Sequence, residues 1–96
     1  IPDYDNLEKP FIEVFTLDSE QCAACTYMMA AAKTAKEHFG DKIDIIEYKY
    51  TIKENVARCK AMGVKNLPTM VINGQIKHVS MIPSSDELFA EIEELL

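Results

Sequence analysis

The stretch "FIEVFTLDSEQCAACTYMMAAAKTAKEHFG", residues 11–40, places two cysteines between an apolar run and an alanine-rich run. Residues 11–17 are mostly β-branched or aromatic, which predicts a buried strand. A polar turn, "DSEQ", follows, and the alanines predict a helix from about Cys22 to Phe39 that stops at Gly40. The side chains spaced to share the buried face of this helix are Met28, Ala31, Ala35 and Phe39.

Strand signals recur twice in the rest of the chain. The run "KIDIIEYKY", residues 42–50, predicts a second strand, and a helix between two strands implies a right-handed crossover with parallel pairing. The runs "TMVI" and "QIKHV", residues 69–72 and 75–79, predict two antiparallel strands joined by an Asn-Gly hairpin turn. On the second of these strands, His78 is predicted to be a solvent-facing or edge residue without a role.

Two further helices are indicated by capping boxes, in which Ser or Thr stands three residues before Glu. Thr51 and Glu54 predict a helix that runs to about Met62. Ser84 and Glu87 predict the last helix, whose apolar stripe consists of Leu88, Phe89, Ile92, Leu95 and Leu96. The element order is therefore β-α-β-α-β-β-α, which predicts an α/β fold with a four-stranded mixed sheet flanked by helices.

The length and charge of the chain limit its class. Ninety-six residues form one small domain, predicted over residues 11–96 after an acidic extended lead-in over residues 1–10. The net charge of −6 and the lack of a basic patch argue against nucleic acid as a partner. No run approaches the ~18 apolar residues of a membrane span and no signal peptide is visible, so we expect a cytoplasmic chain without a membrane partner. The sequence starts at Ile1 rather than methionine, which favours a processed or excised piece.

The sequence holds three cysteines, Cys22, Cys25 and Cys59. An odd number argues against a disulfide scaffold, and a structural zinc site usually needs four ligands. With one CxxC and two isolated histidines, we expect no metal and no cofactor, and metal delivery through the CxxC is a minor alternative. Cys59 stands at helical spacing with Ile52 and Val56, so we expect it to be a buried, structural thiol.

The CxxC pair stands at the junction of the first strand and the first helix. The unpaired amides and the dipole at the helix start stabilise a thiolate on Cys22 and lower the pKa of its thiol. Cys25, one turn further in, is within reach of the first sulfur and is suited to resolving a mixed disulfide. Pro68, which opens a predicted strand, is either an ordinary trans proline or a cis proline set against the CxxC.

Two segments together carry a family resemblance. The motif "CAAC" and the block "GVKNLPTMVINGQIKHV", residues 63–79, resemble the active-site motif and the proline-containing block of the thioredoxin and glutaredoxin superfamily. The likeness extends over residues 11–96 and includes the order of the elements. It implies the thioredoxin fold and an activity in thiol–disulfide exchange.

The same resemblance implies roles for four residues. In the family's pattern, Cys22 corresponds to the attacking thiol and Cys25 to the resolving thiol. Pro68 corresponds to a cis proline that faces the pair. The residue before it, Leu67, corresponds to one whose backbone binds the incoming substrate chain, in the manner of an added strand.

The chain also departs from the family's pattern. It has no tryptophan, and Gln21 precedes the first cysteine where thioredoxins usually carry Trp, while two alanines replace Gly-Pro inside the motif. The buried carboxylate that assists the second cysteine of thioredoxins has no clear counterpart, because Glu13 and Asp18 are out of register. The glycine pair with which glutaredoxins hold glutathione is missing, which argues against glutathione use.

The leading prediction is a small thiol–disulfide oxidoreductase or electron carrier. It would reduce disulfides in protein substrates and be reset by an external reductase or thiol. We expect a monomer, because the pattern needs no partner to bury its core. The alternative is a redox-sensing or docking thioredoxin-like module of a larger multidomain protein, for which the lead-in would be a former linker.

Overall fold

The computed structural model describes residues 2–18 and 20–96, so that Ile1 of the lead-in and Ser19 of the "DSEQ" turn lie outside the described residues. The strands are β1 (Phe11–Thr16), β2 (Asp44–Lys49), β3 (Thr69–Ile72) and β4 (Gln75–Val79). The helices are α1 (Ala23–Phe39), α2 (Lys53–Met62) and α3 (Ser85–Glu93), and short 3-10 turns cover Tyr4–Asn6 and Gly40–Lys42. The predicted element order is confirmed.

The four strands form one mixed sheet in the order β2-β1-β3-β4. Strand β1 runs parallel to β2 and antiparallel to β3, and β3 pairs antiparallel with β4. Consequently β1, β2 and β4 all end at one edge of the sheet, the edge at which β3 begins. We call this the dithiol edge, because the CxxC follows β1 there. The predicted α/β fold with a four-stranded mixed sheet is confirmed.

Helices cover both faces of the sheet and divide the core into two clusters. On one face, α1 and α3 pack against β1 and β3, and the buried residues are Ile12, Val14, Met28, Met29, Ala32, Ala35, Ile43, Met70, Ile72, Leu88 and Ile92. On the other face, α2 contributes Cys59 to a smaller cluster with Phe15, Tyr48 and Val71. Each fully buried aliphatic side chain contributes roughly 1.5–3 kcal/mol. The α1–α3 face therefore supplies most of the apolar stabilisation.

The buried face of α1 is wider than the predicted stripe and rotated from it. Met28 and Ala35 are fully buried as expected, whereas Ala31 and Phe39 are only partly buried. Ala32, which the prediction left out, is fully buried. The difference arises because α1 packs against α3 as well as against the sheet.

The start of α2 differs from the prediction. Its N-cap is Ile52 rather than Thr51, and no side chain caps it, so the predicted capping box is wrong. Asn55 instead ties the first turn to the end of β2, because its Nδ2 donates to the carbonyl oxygen of Lys49 at 3.0 Å. As the N-cap, Ile52 lies outside the helix and is 49% exposed, rather than sharing the buried face of Cys59.

The start of α3 agrees with the prediction. Ser84 is the N-cap, and its Oγ accepts a hydrogen bond from the amide of Glu87 at 3.1 Å. Leu88 and Ile92 are fully buried. The helix ends at Glu93, so the last two leucines of the predicted stripe lie beyond it and are exposed.

Of the two placements predicted for His78, solvent-facing or at the sheet edge, the second is confirmed, because β4 is an edge strand, but the side chain does not face solvent. Its Nε2 lies 2.7 Å from Oε1 of Glu91, and its side chain is 10% exposed, so it joins β4 to α3. The reason is an irregularity in the β3–β4 pairing, in which Met70 pairs with His78 but Val71 pairs with Ile76. The extra residue on β4 directs Ile76 and His78 to opposite faces. Simple alternation along the strand assigns them to the same face.

The lead-in is not extended throughout, because the 3-10 turn Tyr4–Asn6 brings Tyr4 against the sheet. The Tyr4 hydroxyl donates a hydrogen bond to the carboxylate of Glu13, a fully buried residue of β1. The Tyr48 hydroxyl donates to the same carboxylate at 2.8 Å. A buried carboxylate needs such donors, and here two phenols supply them. We call these three residues the Glu13 cluster.

The Glu13 cluster predicts a loss of stability at alkaline pH. Burial and the hydrogen bond to Glu13 raise the pKa of Tyr48 from 10.0 to about 12. Because this shift favours the neutral phenol in the folded state, the stabilisation is complete below pH 10 and is lost as the pH rises to 12. Tyr48 alone is expected to lower the free energy of unfolding by about 2–3 kcal/mol over that interval, and Tyr4, whose pKa is also raised by burial and by Glu13, adds to the loss.

Denaturant titrations across this pH range measure the effect, with tyrosinate absorbance reporting the ionisation. Tyr48→Phe is expected to reduce the pH dependence by the contribution of Tyr48, whereas Tyr27→Phe, at a 64% exposed tyrosine, is expected to leave it as in the parent. A Tyr48→Phe protein with the parental pH dependence would show that Tyr48 does not cause the loss.

The β3–β4 turn predicts a second effect on stability. Asn73 and Gly74 have φ values of 50° and 81°, which confirms the predicted hairpin turn with both central residues left-handed. A Cβ at Gly74 would lie 2.7 Å from Cγ of Tyr4. Gly74→Ala is therefore expected to lower the free energy of unfolding by about 2–4 kcal/mol, since backbone strain and overpacking each cost on the order of 1–3 kcal/mol.

Gly63→Ala is the matched control for this change. Gly63 also has a positive φ, 74°, but a Cβ there would meet open space. Its substitution is expected to cost only about 1 kcal/mol, from the backbone strain alone. Denaturant melts of the two variants test the difference, and equal losses would contradict the close approach of Tyr4.

Candidate active site: the CAAC dithiol

Cys22 and Cys25 form a disulfide across the first turn of α1, with their Cα atoms 5.1 Å apart. Cys22 is the N-cap of the helix, in an extended conformation, and its Sγ accepts a hydrogen bond from the amide of Cys25 at 3.3 Å. The first sulfur therefore occupies the position of a capping oxygen, among the unpaired amides of the helix start. The unpaired amides and the helix dipole at this position favour negative charge on the first sulfur.

The two sulfurs differ in exposure. Cys22 is half-buried, whereas Cys25 is fully buried. The Cys25 Sγ also accepts a hydrogen bond from the amide of Leu17, the residue after β1, at 3.4 Å. An external disulfide can therefore reach Cys22 more readily than Cys25. The order of attack, first by Cys22 and then by Cys25, stays a prediction.

Asp18 shapes the turn that carries Cys22 into α1. Its carbonyl oxygen accepts from the amides of Gln21 at 3.0 Å and Cys22 at 2.9 Å. Its carboxylate accepts from the amide of Glu20 at 2.9 Å and lies 3.6 Å from Nζ of Lys49. The sequence predicts the turn "DSEQ", which begins at Asp18, but not these contacts. An Asp at the start of a polar turn is itself a signal for this kind of capping.

Glu13 does not supply the carboxylate that assists the second cysteine in the family's pattern. The fully buried Glu13 belongs to the Glu13 cluster, on the sheet face that α2 covers. The last residue of β1, Thr16, lies on the other face and is fully buried. Its hydroxyl donates to Oε2 of Glu47 at 2.6 Å, a pair that is not predicted from the sequence. The local sequence carries no signal for this cross-strand contact.

Pro68 lies at the dithiol edge, and the Leu67–Pro68 peptide bond is cis. Thr69 pairs with Phe15, the second-last residue of β1, so the register places Pro68 beside the end of that strand. The carbonyl oxygen of Pro68 accepts from the amide of Ser80 at 2.8 Å, which joins the proline to the end of β4. Of the two alternatives considered for Pro68, the structure contains the cis form.

The predicted site residues therefore separate into two groups. The fold brings Cys22, Cys25, Leu67 and Pro68 to the dithiol edge. Cys59 does not join them, because it lies in the cluster between α2 and the sheet and is 4% exposed. Burial raises the pKa of its thiol, which keeps it protonated and unreactive near neutral pH.

The described residues contain no group of three or more His, Cys, Asp or Glu side chains placed to hold a metal ion. Among the helices within the same residues, none is both long enough and apolar enough to cross a membrane.

Comparison with known proteins agrees with the architecture of the site. Residues 11–94 match a family described as "Thioredoxin domain". A protein of Methanothermobacter thermautotrophicus named probable thioredoxin is 36% identical over 83 residues, which cover 86% of this chain and 92% of that protein. The thioredoxin of Methanocaldococcus jannaschii is 30% identical over 91 residues, 94% of this chain and 100% of that protein. A mutant thioredoxin from Halobacterium salinarum, 24% identical, superposes with a TM-score of 0.71 over 96% of this chain and 77% of its own.

Proposed function

The chain belongs to the thioredoxin family, and from this premise we propose that it reduces disulfide bonds in other proteins by dithiol exchange at Cys22 and Cys25. Family membership and the CxxC pair make the protein a thiol–disulfide oxidoreductase. The proposal that the substrates are other proteins rests on one observation. Cys22, at the N-cap of α1, is partly exposed, whereas Cys25 is fully buried.

The proposed reaction moves two electrons from the dithiol to the substrate. The Cys22 thiolate attacks one sulfur of the substrate disulfide, which forms a mixed disulfide and releases the other substrate sulfur as a thiolate that takes up a proton. Cys25 then loses its proton and attacks the sulfur of Cys22. This step breaks the mixed disulfide, releases the second substrate thiol and leaves the Cys22–Cys25 disulfide. An external reductase or a small thiol returns the pair to the dithiol.

The surroundings of the dithiol support a protein as the substrate. Large apolar side chains are exposed where each strand ends at the dithiol edge: Leu17 after β1, Tyr50 and Ile52 after β2, and Met81 and Ile82 after β4. Apolar surface around a reactive group favours the docking of another protein. An extended substrate segment would add itself as a short strand at Leu67 and Pro68, which bind through the main chain.

We also propose the setting in which the exchange takes place. The working unit is residues 11–96 with residues 1–10 as its lead-in, and it acts as a monomer. A monomer is supported by two core clusters that close within one chain. The proposed location is the cytoplasm, where the surrounding thiol pool keeps such a pair reduced.

Two measurements test the proposal on the full chain. The first equilibrates the Cys22–Cys25 couple with a thiol redox buffer, and the second follows the reduction of a disulfide-bonded model protein with a chemical thiol as the electron source. Reversible oxidation with catalytic turnover is the expected result. A couple that oxidises and reduces reversibly but reduces no protein in trans would overturn the proposal and favour a redox-sensing module.

A further inference from the structure

One methionine at the dithiol edge is exposed to solvent, and the exchange reaction itself does not use its sulfur. We propose that Met81 is an oxidation site, through which hydrogen peroxide weakens the docking of protein substrates at the dithiol edge. The inference rests on the proposed function, in which apolar side chains around Cys22 and Cys25 receive another protein, and it names a chemical modification that regulates that docking.

The five methionines of the chain differ in their exposure to solvent. Three of them are buried in the core cluster between the sheet and the helices α1 and α3: Met28, Met29 and Met70. Met62 is partly buried, and its Sδ accepts a hydrogen bond from the Tyr4 hydroxyl at 3.5 Å. Met81 is 76% exposed, the highest value among the large apolar side chains of the described residues. Peroxide in solution is therefore expected to reach Met81 ahead of the other four methionines.

The backbone holds Met81 in this exposed position from both sides. Before it, the amide of Ser80 donates to the carbonyl oxygen of Pro68 at 2.8 Å. After it, Pro83 is buried and leads directly into α3. Only Met81 and Ile82 lie between these two anchors, so Met81 stays outside the core unless one of the anchors breaks.

The conformation of Ser80 directs this segment toward the site. Its φ is 60°, in a left-handed region that residues other than glycine seldom adopt. Backbone strain of this kind is concentrated at functional sites. Because the amide of Ser80 binds the Pro68 carbonyl oxygen, Met81 lies one residue from the backbone at which the substrate is proposed to add.

The oxidation step balances with hydrogen peroxide as the oxidant. The thioether sulfur of Met81 attacks one peroxide oxygen, an S–O bond forms, and the O–O bond breaks. The sulfur loses two electrons and becomes a sulfoxide, while the second oxygen leaves as water with the proton of the transferred hydroxyl. The product is polar, and burial of a polar group under a docked protein costs free energy. Docking is therefore weakened without any change to the dithiol.

The disulfide form of the protein separates this reaction from oxidation of the cysteines. Cys22 and Cys25 are joined in the disulfide, and Cys59 is buried, with 4% exposure. Peroxide oxidises accessible thiolates, and in this form none of the three cysteines offers one. Treatment of the disulfide form is therefore expected to modify Met81 and leave a dithiol that a chemical thiol regenerates once the peroxide is removed.

Peroxide treatment of the disulfide form tests the inference. Peptide mass spectrometry follows the gain of one oxygen at each methionine, and Met81 is expected to be modified first. Turnover is then measured on a disulfide-bonded model protein and on a small-molecule disulfide, with a chemical thiol as the electron source. The KM for the model protein is expected to rise by about five- to tenfold, with kcat and the turnover of the small disulfide unchanged.

Met81→Leu and Met62→Leu are the matched variants, and each is compared with itself before and after treatment. Met81→Leu keeps an apolar side chain but has no sulfur to oxidise, so its KM is expected not to respond to peroxide. Met62→Leu removes a methionine from the cluster under α2 and is expected to respond as the parent does. An equal rise of KM in Met81→Leu would overturn the inference, and so would the modification of another methionine before Met81.

The two substrates separate this inference from the proposed function. If the untreated parent reduces the model protein and full modification of Met81 leaves the KM unchanged, the inference fails and the proposed function stands. If the untreated parent reduces the small disulfide but no protein, the proposed function fails, and the effect on docking fails with it. A treated protein that loses turnover with both substrates has a damaged dithiol, and that result also overturns the inference.

Discussion

Cys22→Ser is expected to abolish the reduction of protein disulfides, with kcat/KM lower by on the order of 10³-fold or more. The reason is that Cys22, the more exposed residue of the pair, is the N-cap of α1, and a serine hydroxyl at that position is not ionised at neutral pH. Turnover of a disulfide-bonded model protein measures the loss. The Cys59→Ala variant is the control, since it removes a buried thiol away from the dithiol edge and is expected to keep turnover.

Cys25→Ser distinguishes the two roles within the pair. This variant retains the attacking thiol but cannot resolve the mixed disulfide, so we expect a covalent complex with the substrate to accumulate. Mass spectrometry under non-reducing conditions detects that complex and gives its stoichiometry. Two results in Cys22→Ser would reverse the assignment of attacking and resolving thiols. One is full turnover, and the other is a covalent complex with the substrate through Cys25.

Glu13→Ala is expected to lower the free energy of unfolding by about 3–5 kcal/mol, the largest effect on stability that the structure predicts. The substitution removes a fully buried carboxylate, which is an acceptor for the hydroxyls of both Tyr4 and Tyr48, and leaves Tyr4 only the weak acceptor Sδ of Met62. Hydrogen bonds to a charged group contribute about 1.5–3 kcal/mol each, and the vacated volume adds a cavity cost. The total free energy of unfolding of a domain of this size is roughly 5–15 kcal/mol, so the substitution removes a large part of it.

Denaturant melts measure this loss, and two further variants make the result specific. Glu37→Ala removes the same charge from an exposed position on α1 and is expected to change stability by less than about 0.5 kcal/mol. In the double variant Tyr4→Phe/Tyr48→Phe, Glu13→Ala is expected to lower the free energy of unfolding by less, because the two hydroxyls that bind Glu13 are already absent. An equal cost in both backgrounds would show that the two phenols do not bind Glu13.

The parts of the fold that were predictable from sequence are those specified by neighbouring residues. The apolar run of residues 11–17, the Asn73–Gly74 turn and the Ser84 cap each carry their signal within a few positions, and the structure contains all three. The common location of the CxxC and Pro68 was predicted only through the family resemblance, because the pairing of β1 with β3 has no local signal. Parallel pairing of β1 with β2 and antiparallel pairing with β3 leave one edge at which both can lie.

The contacts that were not predictable depend on register between distant segments. The Glu13 cluster joins a 3-10 turn, β1 and β2, with partners 9 and 35 positions away from Glu13 along the chain. The contact of His78 with Glu91 depends on the irregular pairing of β3 with β4, and no residue of β4 predicts that irregularity. The Asp18–Lys49 pair likewise requires that β2 end beside the turn after β1. Each arises from backbone geometry that local propensity does not encode.

The contact of Tyr4 with Gly74 determines the direction in which a tag, a tether or a fused domain leaves the protein. The β3–β4 turn lies at the end of the sheet opposite the dithiol edge, a strand's length of roughly 20 Å away. A tag, surface tether or fused domain joined ahead of Tyr4 would therefore emerge on the far side from the sulfurs. Immobilised in that orientation, the protein would present its reactive end outward, free to meet large substrates.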